Sequence, residues 1–141
     1  MIVAVDASVW LSAVLSADRF YDATFRWLQG FLLGGGTVAA PITLAAEVAG
    51  AYARRTGQPD IANAYALDIQ NDPRVRLYSV DAALGDAAAR LAAQLPLKGS
   101  DAVYVALAQG LDVPLVTRDR EQLARGSAVI QTITPEEMES Q

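Results

Sequence analysis

Short apolar runs alternate along the chain with longer segments in which apolar residues recur every three or four positions. The runs are typical of buried strands and lie at 2–5, 37–40, 75–80, 113–116 and 129–130. The longer segments predict helices over 8–16, 21–33, 41–55, 61–70, 82–94 and 100–109, with a short helix near 120–123. Strands and helices that alternate in this way indicate an α/β fold around a parallel sheet of about five strands.

The length and composition favour one domain. The chain has 141 residues, of which 52% are hydrophobic and 19% charged, so a sizeable core is expected. We find no internal repeat and no linker, and we predict a single three-layer domain over residues 1–134, with helices on both faces of the sheet. The acidic end of the chain, 135–141, predicts a frayed and flexible tail.

The beginning of the chain does not resemble a targeting signal. It lacks a basic region, and Asp6 interrupts the first apolar run. No apolar stretch reaches the roughly 20 residues that a membrane span needs. Cysteine is absent, which fits a reducing compartment. We therefore expect a soluble cytoplasmic protein that does not bind membranes.

The residue types that are missing narrow the possible chemistry. Because the chain has neither cysteine nor histidine, it excludes a thiolate–zinc site, a cysteine nucleophile and imidazole acid–base catalysis. The formal net charge of -5 argues against a generally basic nucleic-acid-binding surface. Hydrolytic chemistry would have to come from carboxylates, hydroxyls, lysine, tyrosine or a metal held by oxygen ligands.

Four carboxylates are predicted at the same edge of the sheet. Asp6 directly follows the first strand, and Asp119 follows the strand at 113–116. Asp101 and Glu47 lie in helices that begin at that edge, Glu47 about two turns into its helix. If the first strand lies beside the 113–116 strand, all four side chains converge on the crevice beyond the carboxyl ends of the strands.

Each of these carboxylates also has a purely structural explanation. Asp6, Asp101 and Asp119 are all suited to cap helix N-termini. Asp81 follows a predicted edge strand and is assigned to capping alone. Glu47 fits a structural role less well, because its neighbours are small or apolar and an unpaired charge there is unfavourable. The alternative for Glu47 is an ion pair with an arginine seven or eight positions along its helix.

Electrostatics favours a cation among these side chains. Two carboxylates about 5 Å apart repel each other by about 3 kcal/mol at an effective dielectric constant of about 20. Lys98 and Arg118 could supply positive charge, but oxygen ligands alone suit Mg²⁺ or Mn²⁺. A metal held by carboxylates is well suited to activating water against a phosphodiester.

Four segments of the chain resemble the PIN-domain ribonucleases, and in particular the VapC-type toxins of toxin–antitoxin pairs. These segments are VAVDAS at 3–8, PITLAAE at 41–47, SDAVYVALA at 100–108 and LVTRD at 115–119. They occur in the order of that family and together span nearly the whole chain. The resemblance implies a PIN-like fold in which the first strand lies beside the fourth.

The resemblance also implies which residues act. The acidic site for Mg²⁺ or Mn²⁺ is expected to consist of Asp6, Glu47, Asp101 and Asp119. Ser8 and Thr117 are expected to organise this site through their hydroxyl groups. The activity implied is that of an endoribonuclease leaving a 5′-phosphate and a 3′-hydroxyl. The partner implied is a small antitoxin whose C-terminal segment covers the crevice.

An acidic protein needs local positive charge to hold RNA. Lys98, Arg118 and Arg120 are the candidate phosphate contacts, and solvated surface charge is the alternative for all three. Some aromatic residues could stack on bases, although their helical spacing favours packing in the core or an interface. These aromatic residues are Trp10, Trp27, Tyr52 and Tyr104. Apolar helix surfaces around residues 10–27 also suggest a homodimer.

Two other classes of protein share features with this sequence. A phosphoacceptor receiver domain needs paired acids after its first strand and a lysine after its fifth, but Asp6 stands alone and no lysine follows Ile130. The other alternative is a catalytically inactive PIN-like module that binds RNA or protein. It stays open because the presence of four acidic residues does not by itself establish turnover.

Overall fold

The computed structural model describes all 141 residues, and most helices and strands end within two residues of the positions predicted from sequence. The strands are β1 (Ile2–Val5), β2 (Thr37–Pro41), β3 (Val75–Tyr78), β4 (Leu115–Val116) and β5 (Thr132–Ile133). The α-helices are α1 (Ala7–Val14), α2 (Tyr21–Leu33), α3 (Leu44–Thr56), α4 (Pro59–Asn71), α5 (Ala82–Gln94), α6 (Gly99–Leu111) and α7 (Pro135–Glu139). A π-helix covers Gln122–Gly126.

The five strands form one parallel sheet in the order β3-β2-β1-β4-β5. Strand β1 is central and pairs with β4, where Ala4 lies opposite Leu115 and Val5 opposite Val116. The prediction that the first strand lies beside the fourth is therefore confirmed. Because the strands are parallel, the chain leaves β1 and β4 at the same edge of the sheet, where ligands collect in folds of this kind.

Helices cover both faces of the sheet and give the domain three layers. Helices α1 to α4 pack on one another, whereas α5 packs on α6, which covers β1, β2 and β4. Val3, Ala4 and Val5 of β1 are fully buried between these layers, as expected for a central parallel strand. None of the helices combines the length and the apolar character required to cross a bilayer.

Helix α3 begins three residues later than predicted. Pro41 belongs to β2, where it lies opposite Tyr78, and the Ile42 N–H donates to the Tyr78 carbonyl at 2.8 Å. Proline lacks an N–H but is tolerated at this strand end because the following residue supplies the next hydrogen bond. Since the helix starts at Leu44, Glu47 lies in its first turn. The predicted position of Glu47, about two turns into the helix, is therefore wrong.

The last strand also differs from its predicted position. Residues 127–130 form a turn after the π-helix, in which the Ile130 N–H donates to the Gly126 carbonyl. The strand forms at Thr132–Ile133, because the Leu115 N–H donates to the Gln131 carbonyl and fixes the register. The apolar pair at 129–130 packs against the core without entering the sheet.

The C-terminal segment differs from the expected frayed tail. It forms α7, which begins with a capping box between Thr134 and Glu137. Met138 is only 8% exposed, and α7 packs against α2. An ion pair between Arg118 and Glu136 also fastens the helix to the turn after β4. The acidic composition of this segment suggested a frayed end, but Met138 is buried and Glu136 has a charge partner in Arg118.

Candidate active site

Asp6 is the most deeply placed carboxylate at this edge of the sheet. It follows β1 directly and is 3% exposed. Its Oδ1 accepts hydrogen bonds from Ser8 Oγ at 2.6 Å and from the Val9 N–H at 3.4 Å. Its Oδ2 accepts from Thr117 Oγ1 at 2.8 Å and from Gln122 Nε2 at 2.7 Å. All four donors are neutral, and Asp6 takes part in no ion pair.

The surroundings of Asp6 disfavour its ionised form. Burial raises the pKa of Asp6 to about 6, although hydrogen bonds from Ser8, Thr117 and Val9 oppose the rise. The negative charge of Asp101 adds to it. A buried carboxylate that receives only neutral hydrogen bonds still lacks a compensating charge. The protein thus leaves Asp6 able to gain from a cation that comes from outside the chain.

Gln122 joins Asp6 to Asp101. Its Nε2 donates to Asp101 Oδ1 at 3.0 Å as well as to Asp6, so both carboxylates lie within hydrogen-bonding distance of one nitrogen atom. Burial, together with the charge of Asp119, raises the pKa of Asp101, while the positive charge of Lys98 opposes this rise. Asp101 lies in the first turn of α6. The two carboxylates therefore form a pair held by a single amide.

Glu47 approaches the same edge from α3. Its Oε1 accepts hydrogen bonds from Thr43 Oγ1 and from the Tyr104 hydroxyl, both at 3.3 Å. Burial raises the pKa of Glu47, these hydrogen bonds oppose the rise, and the charge of Asp101 adds to it. Glu47 forms no ion pair with an arginine. The ion pair that would have given Glu47 a purely structural role is therefore absent.

Asp119 and the two predicted hydroxyls tie the turn after β4 to Asp6. Thr117 Oγ1 donates to Asp6 and accepts from the Asp119 N–H at 3.0 Å. Ser8 Oγ donates to Asp6 and accepts from the Arg118 N–H at 2.9 Å. Asp119 Oδ1 accepts from the Gln122 N–H at 2.9 Å and so caps the following turn. Ser8 and Thr117 thus both hold the Asp6 carboxylate through hydrogen bonds from their hydroxyl groups.

Helix capping accounts for part of this arrangement. Asp6 and Asp119 both accept an N–H of a first helical turn, but the capping bond of Asp6 is the longest of its four hydrogen bonds. Asp101 caps nothing, because Lys98 occupies the N-cap position of α6. Asp81 accepts only the Leu84 N–H at 2.9 Å, as predicted for a capping residue. Capping therefore explains Asp81 fully but leaves Asp6 and Asp101 unexplained.

The carboxylates do not form a ready-made metal cage. The structure brings them to one edge of the sheet, but no three of them are arranged to hold a metal ion. The donor set itself fits Mg²⁺ or Mn²⁺, because carboxylate and hydroxyl oxygens are the ligands of hard cations. Gln122 Nε2 lies between the Asp6 and Asp101 carboxylates and donates to both. The residues therefore fit such a cation in chemistry, although the Gln122 amide lies between two of the carboxylates.

Arg118 does not have the free guanidinium that a phosphate contact requires. Its side chain is 10% exposed and pairs with both carboxylate oxygens of Glu136 at 2.7 Å. It also donates to Thr24 Oγ1 and lies over the Phe20 ring at 4.3 Å. The structure contradicts the prediction of Arg118 as a phosphate contact, because its guanidinium is occupied by Glu136 and Thr24. Both partners lie in segments that are distant along the sequence.

Other basic residues around the site remain exposed. Lys98 and Arg120 face solvent and take part in no ion pair. Lys98 is close enough to Asp101 to act on its pKa. Arg55, which was not predicted as a phosphate contact, is exposed and lines a pocket together with Ser8. Only the packing of α3 near α1 places Arg55 there, so no local sequence signal could have identified it.

Sequence reasoning also missed two contacts of the carboxylates. Gln122 lies three residues after Asp119, the spacing of a capping box, which predicts a helix start but not the destination of the amide. Tyr104 lies three residues after Asp101 on the same helix face and reaches Glu47. The aromatic residues considered for base stacking are all buried, which confirms core packing for Trp10, Trp27, Tyr52 and Tyr104.

Comparison with known proteins identifies the family. The family model for the PIN domain matches residues 3–127. The chain therefore belongs to the PIN domain family, and the resemblance noted from its four segments is confirmed. A comparison with curated proteins found no match.

Solved structures of toxins and toxin–antitoxin complexes share this fold. VapC20 of Mycobacterium tuberculosis, described as a sarcin-ricin loop cleaving toxin, aligns with a TM-score of 0.73 and 21% identity over 88% of this chain and 94% of that chain. VapBC2 of Rickettsia felis, solved with a promoter DNA fragment, gives 0.69 and 17% over 94% and 98%. FitAcB of Neisseria gonorrhoeae gives 0.68 and 16% over 96% and 99%. These similarities establish the shared fold.

Proposed function

We propose that this PIN-domain protein is a metal-dependent endoribonuclease and the toxin of a toxin–antitoxin pair. The observation that carries the proposal is the buried Asp6 carboxylate, which has only neutral donors and lies beside Asp101. Such a pair is unfavourable unless a cation binds or a proton is taken up. The similar structure of VapC20, which its description calls a sarcin-ricin loop cleaving toxin, supports RNA as the substrate class.

The residues proposed to hold Mg²⁺ or Mn²⁺ are Asp6, Glu47, Asp101 and Asp119. A divalent cation bound there would polarise a phosphodiester and activate water. Ser8 and Thr117 keep the Asp6 carboxylate oriented through hydrogen bonds of 2.6 and 2.8 Å. Because these donors are fixed by the backbone of the turn after β4, Asp6 needs little reorganisation to act as a ligand.

RNA is proposed to be held by phosphate contacts around this centre. Lys98 and Arg120 are exposed on the two segments that carry Asp101 and Asp119. Arg55 adds positive charge on the side of Ser8. Such contacts would confer affinity without reading bases, since they address the backbone only.

Two protein partners are proposed, a cognate antitoxin and a second copy of this chain. The VapBC2 and FitAcB structures support a cognate antitoxin for this chain as well. We also propose a homodimer, because apolar side chains such as Phe25 and Leu33 stay exposed on α2. Light scattering at high micromolar concentration should give twice the 14.9 kDa of one chain. A 15 kDa particle, the mass of one chain, would count against the dimer.

The experiment that tests the activity is cleavage of a structured RNA with Mg²⁺, with Mn²⁺ and with EDTA. Cleavage should require a divalent cation, and Asp101→Asn should lower it at least about 100-fold because the ligand charge is lost. Asp81→Asn is the matched control: it removes a capping aspartate at the same edge of the sheet and should leave the rate within about twofold. Equal cleavage in EDTA, or full activity of Asp101→Asn, would rule the mechanism out.

One observation favours a second candidate, an inactive PIN-like module that binds RNA or protein. No three carboxylates are arranged to hold a metal ion. A module of this kind would bind RNA with equal affinity in EDTA and in Mn²⁺, and would leave the RNA intact. Cation-dependent cleavage in the assay above excludes this candidate.

A further inference from the structure

Gln122 is a buried side chain that donates to the carboxylates of two proposed metal ligands at once. It is 1% exposed and is the first residue of the π-helix. Its Nε2 lies 2.7 Å from Asp6 Oδ2 and 3.0 Å from Asp101 Oδ1. Both amide protons are therefore directed at carboxylate oxygens, which is where a bridging cation would supply its charge.

The other end of the same amide has no partner. Gln122 Oε1 is buried and accepts no hydrogen bond. Turning the amide over would satisfy nothing, because Oε1 would then meet two carboxylate oxygens and both amide protons would lose their acceptors. The side chain leaves its own acceptor unsatisfied in order to serve Asp6 and Asp101, which no other side chain bridges in this way.

This geometry makes the amide a competitor of a cation. A cation bound to both carboxylates must displace Nε2, since a hydrogen-bond donor and a cation cannot occupy the same position between two oxygens. Whatever stability the amide confers on the metal-free protein is lost on cation binding and weakens the apparent affinity by the same amount. Gln122 also begins a π-helix, a feature that recurs at functional sites.

We propose that Gln122 is a positioning residue that bridges Asp6 and Asp101 when no cation is bound and is displaced when one binds. The inference rests on the proposed function, because it requires that these carboxylates hold a divalent cation. The Gln122 amide lowers the affinity of the site for a cation, whereas the four carboxylates raise it. Gln122 is thus the part of the site that keeps it closed in the metal-free protein.

The first test is the affinity for Mn²⁺, measured by calorimetry and by electron paramagnetic resonance. Gln122→Met keeps the length of the side chain but removes both donors, and it should bind Mn²⁺ at least tenfold more tightly, about 1.4 kcal/mol. Its metal-free form should melt at a lower temperature, and Mn²⁺ should raise that temperature by more than in the wild type. Gln109→Met, an exposed glutamine on α6, is the control and should leave the affinity unchanged.

The outcomes separate this inference from the proposed function. If the wild type binds Mn²⁺ and Asp101→Asn does not, the metal site stands. Weaker binding by Gln122→Met would then show that the amide is a ligand, and unchanged binding would show that it is a bystander. Either result overturns the inference alone. If no form of the protein binds Mn²⁺, the proposed function fails and the inference fails with it.

A second measurement uses the wild type and so does not depend on the folding of a variant. The side-chain NH₂ signals of Gln122, assigned by their absence from the Gln122→Met spectrum or by triple-resonance connectivity, report its hydrogen bonds. They should be slow to exchange with solvent in the metal-free protein and should shift and lose protection when Mg²⁺ is added. Signals that stay unchanged at saturating Mg²⁺ would contradict displacement.

Discussion

Two carboxylates, those of Asp6 and Glu136, contact the turn after β4, and they differ in whether a positive charge accompanies them. On one side, Thr117 donates to Asp6, which has only neutral partners. On the other, Arg118 forms a two-bonded ion pair with Glu136 of α7. Burial raises the pKa of Asp6 to about 6, whereas the hydrogen bond from Arg118 lowers the pKa of Glu136. The two residues that donate these hydrogen bonds, Thr117 and Arg118, are neighbours along the turn.

The difference separates a structural carboxylate from one that is kept for function. Arg118 neutralises Glu136, so that pair is complete within the chain and fastens α7 to the domain. Asp6 is far more buried, yet the guanidinium of Arg118 donates to Thr24 and Glu136 instead of to it. Groups that lack a compensating charge inside a crevice are candidates for function, and this contrast makes Asp6 one.

The largest effect expected from this contrast is on RNA cleavage. Asp6→Asn keeps the size of the side chain but removes the charge, and it should reduce the rate at least about 100-fold. Glu136→Gln makes the same chemical change on the other side of the turn and should leave the rate within about threefold. Initial rates in Mn²⁺ measure both. A comparable loss in the two variants would mean that the integrity of the turn, rather than a cation site, controls activity.

The next effect is on stability, and its sign differs between the two residues. The pKa of Asp6 is higher in the folded protein than its ordinary value of 3.8, so the free-energy cost of ionising it is absent at low pH and complete above about pH 6. A rise to about 6 corresponds to about 3 kcal/mol. In EDTA, the free energy of unfolding of the wild type relative to Asp6→Asn should therefore fall by up to this amount as the pH rises from 4 to 7.5.

Glu136 should behave in the reverse manner. Its pKa in the folded protein is lower than the ordinary value of 4.5, so the stability from its pair with Arg118 is present above that pH and is lost as the pH falls through the lowered folded pKa. Glu136→Gln should destabilise the protein at pH 7.5, and the difference should shrink below about pH 4.5. Urea unfolding midpoints across this range give both curves. Parallel curves for the two variants would contradict the contrast.

The smallest effect expected is on RNA affinity. Lys98→Ala should weaken binding of RNA in EDTA by roughly fivefold and reduce the slope of log affinity against log salt concentration by about one. Arg118→Ala should lower the melting temperature, because it removes the ion pair with Glu136 and the hydrogen bonds to Thr24, but it should reduce the salt slope by less than Lys98→Ala does. A larger change of slope for Arg118→Ala would restore it as a phosphate contact.

The sequence predicted the parts of the site that depend on topology. Asp6 and Asp119 follow strands that pair with each other, and the edge at which they lie follows from the direction of parallel strands. Local patterns also predicted Asp81 as a cap, because its partner is three residues away. These features need only short-range signals and the general rule that ligands bind at the carboxyl ends of parallel strands.

The parts that could not be predicted depend on where long side chains end. Gln122 has the spacing of a capping residue, but its amide contacts carboxylates 116 and 21 positions away. Arg118 lies next to two residues of the predicted site, yet its partner Glu136 belongs to the segment expected to be frayed. Such contacts are decided by packing between distant segments, and no local periodicity records them.

The central claim is that Asp6 and Asp101 share a divalent cation, and a crystal of the protein grown with Mn²⁺ tests it directly. The anomalous difference map should show a peak in contact with both carboxylates, with the Gln122 amide displaced from between them. A map with no peak at this edge of the sheet, and with Nε2 still bridging the two side chains at saturating Mn²⁺, would contradict the account.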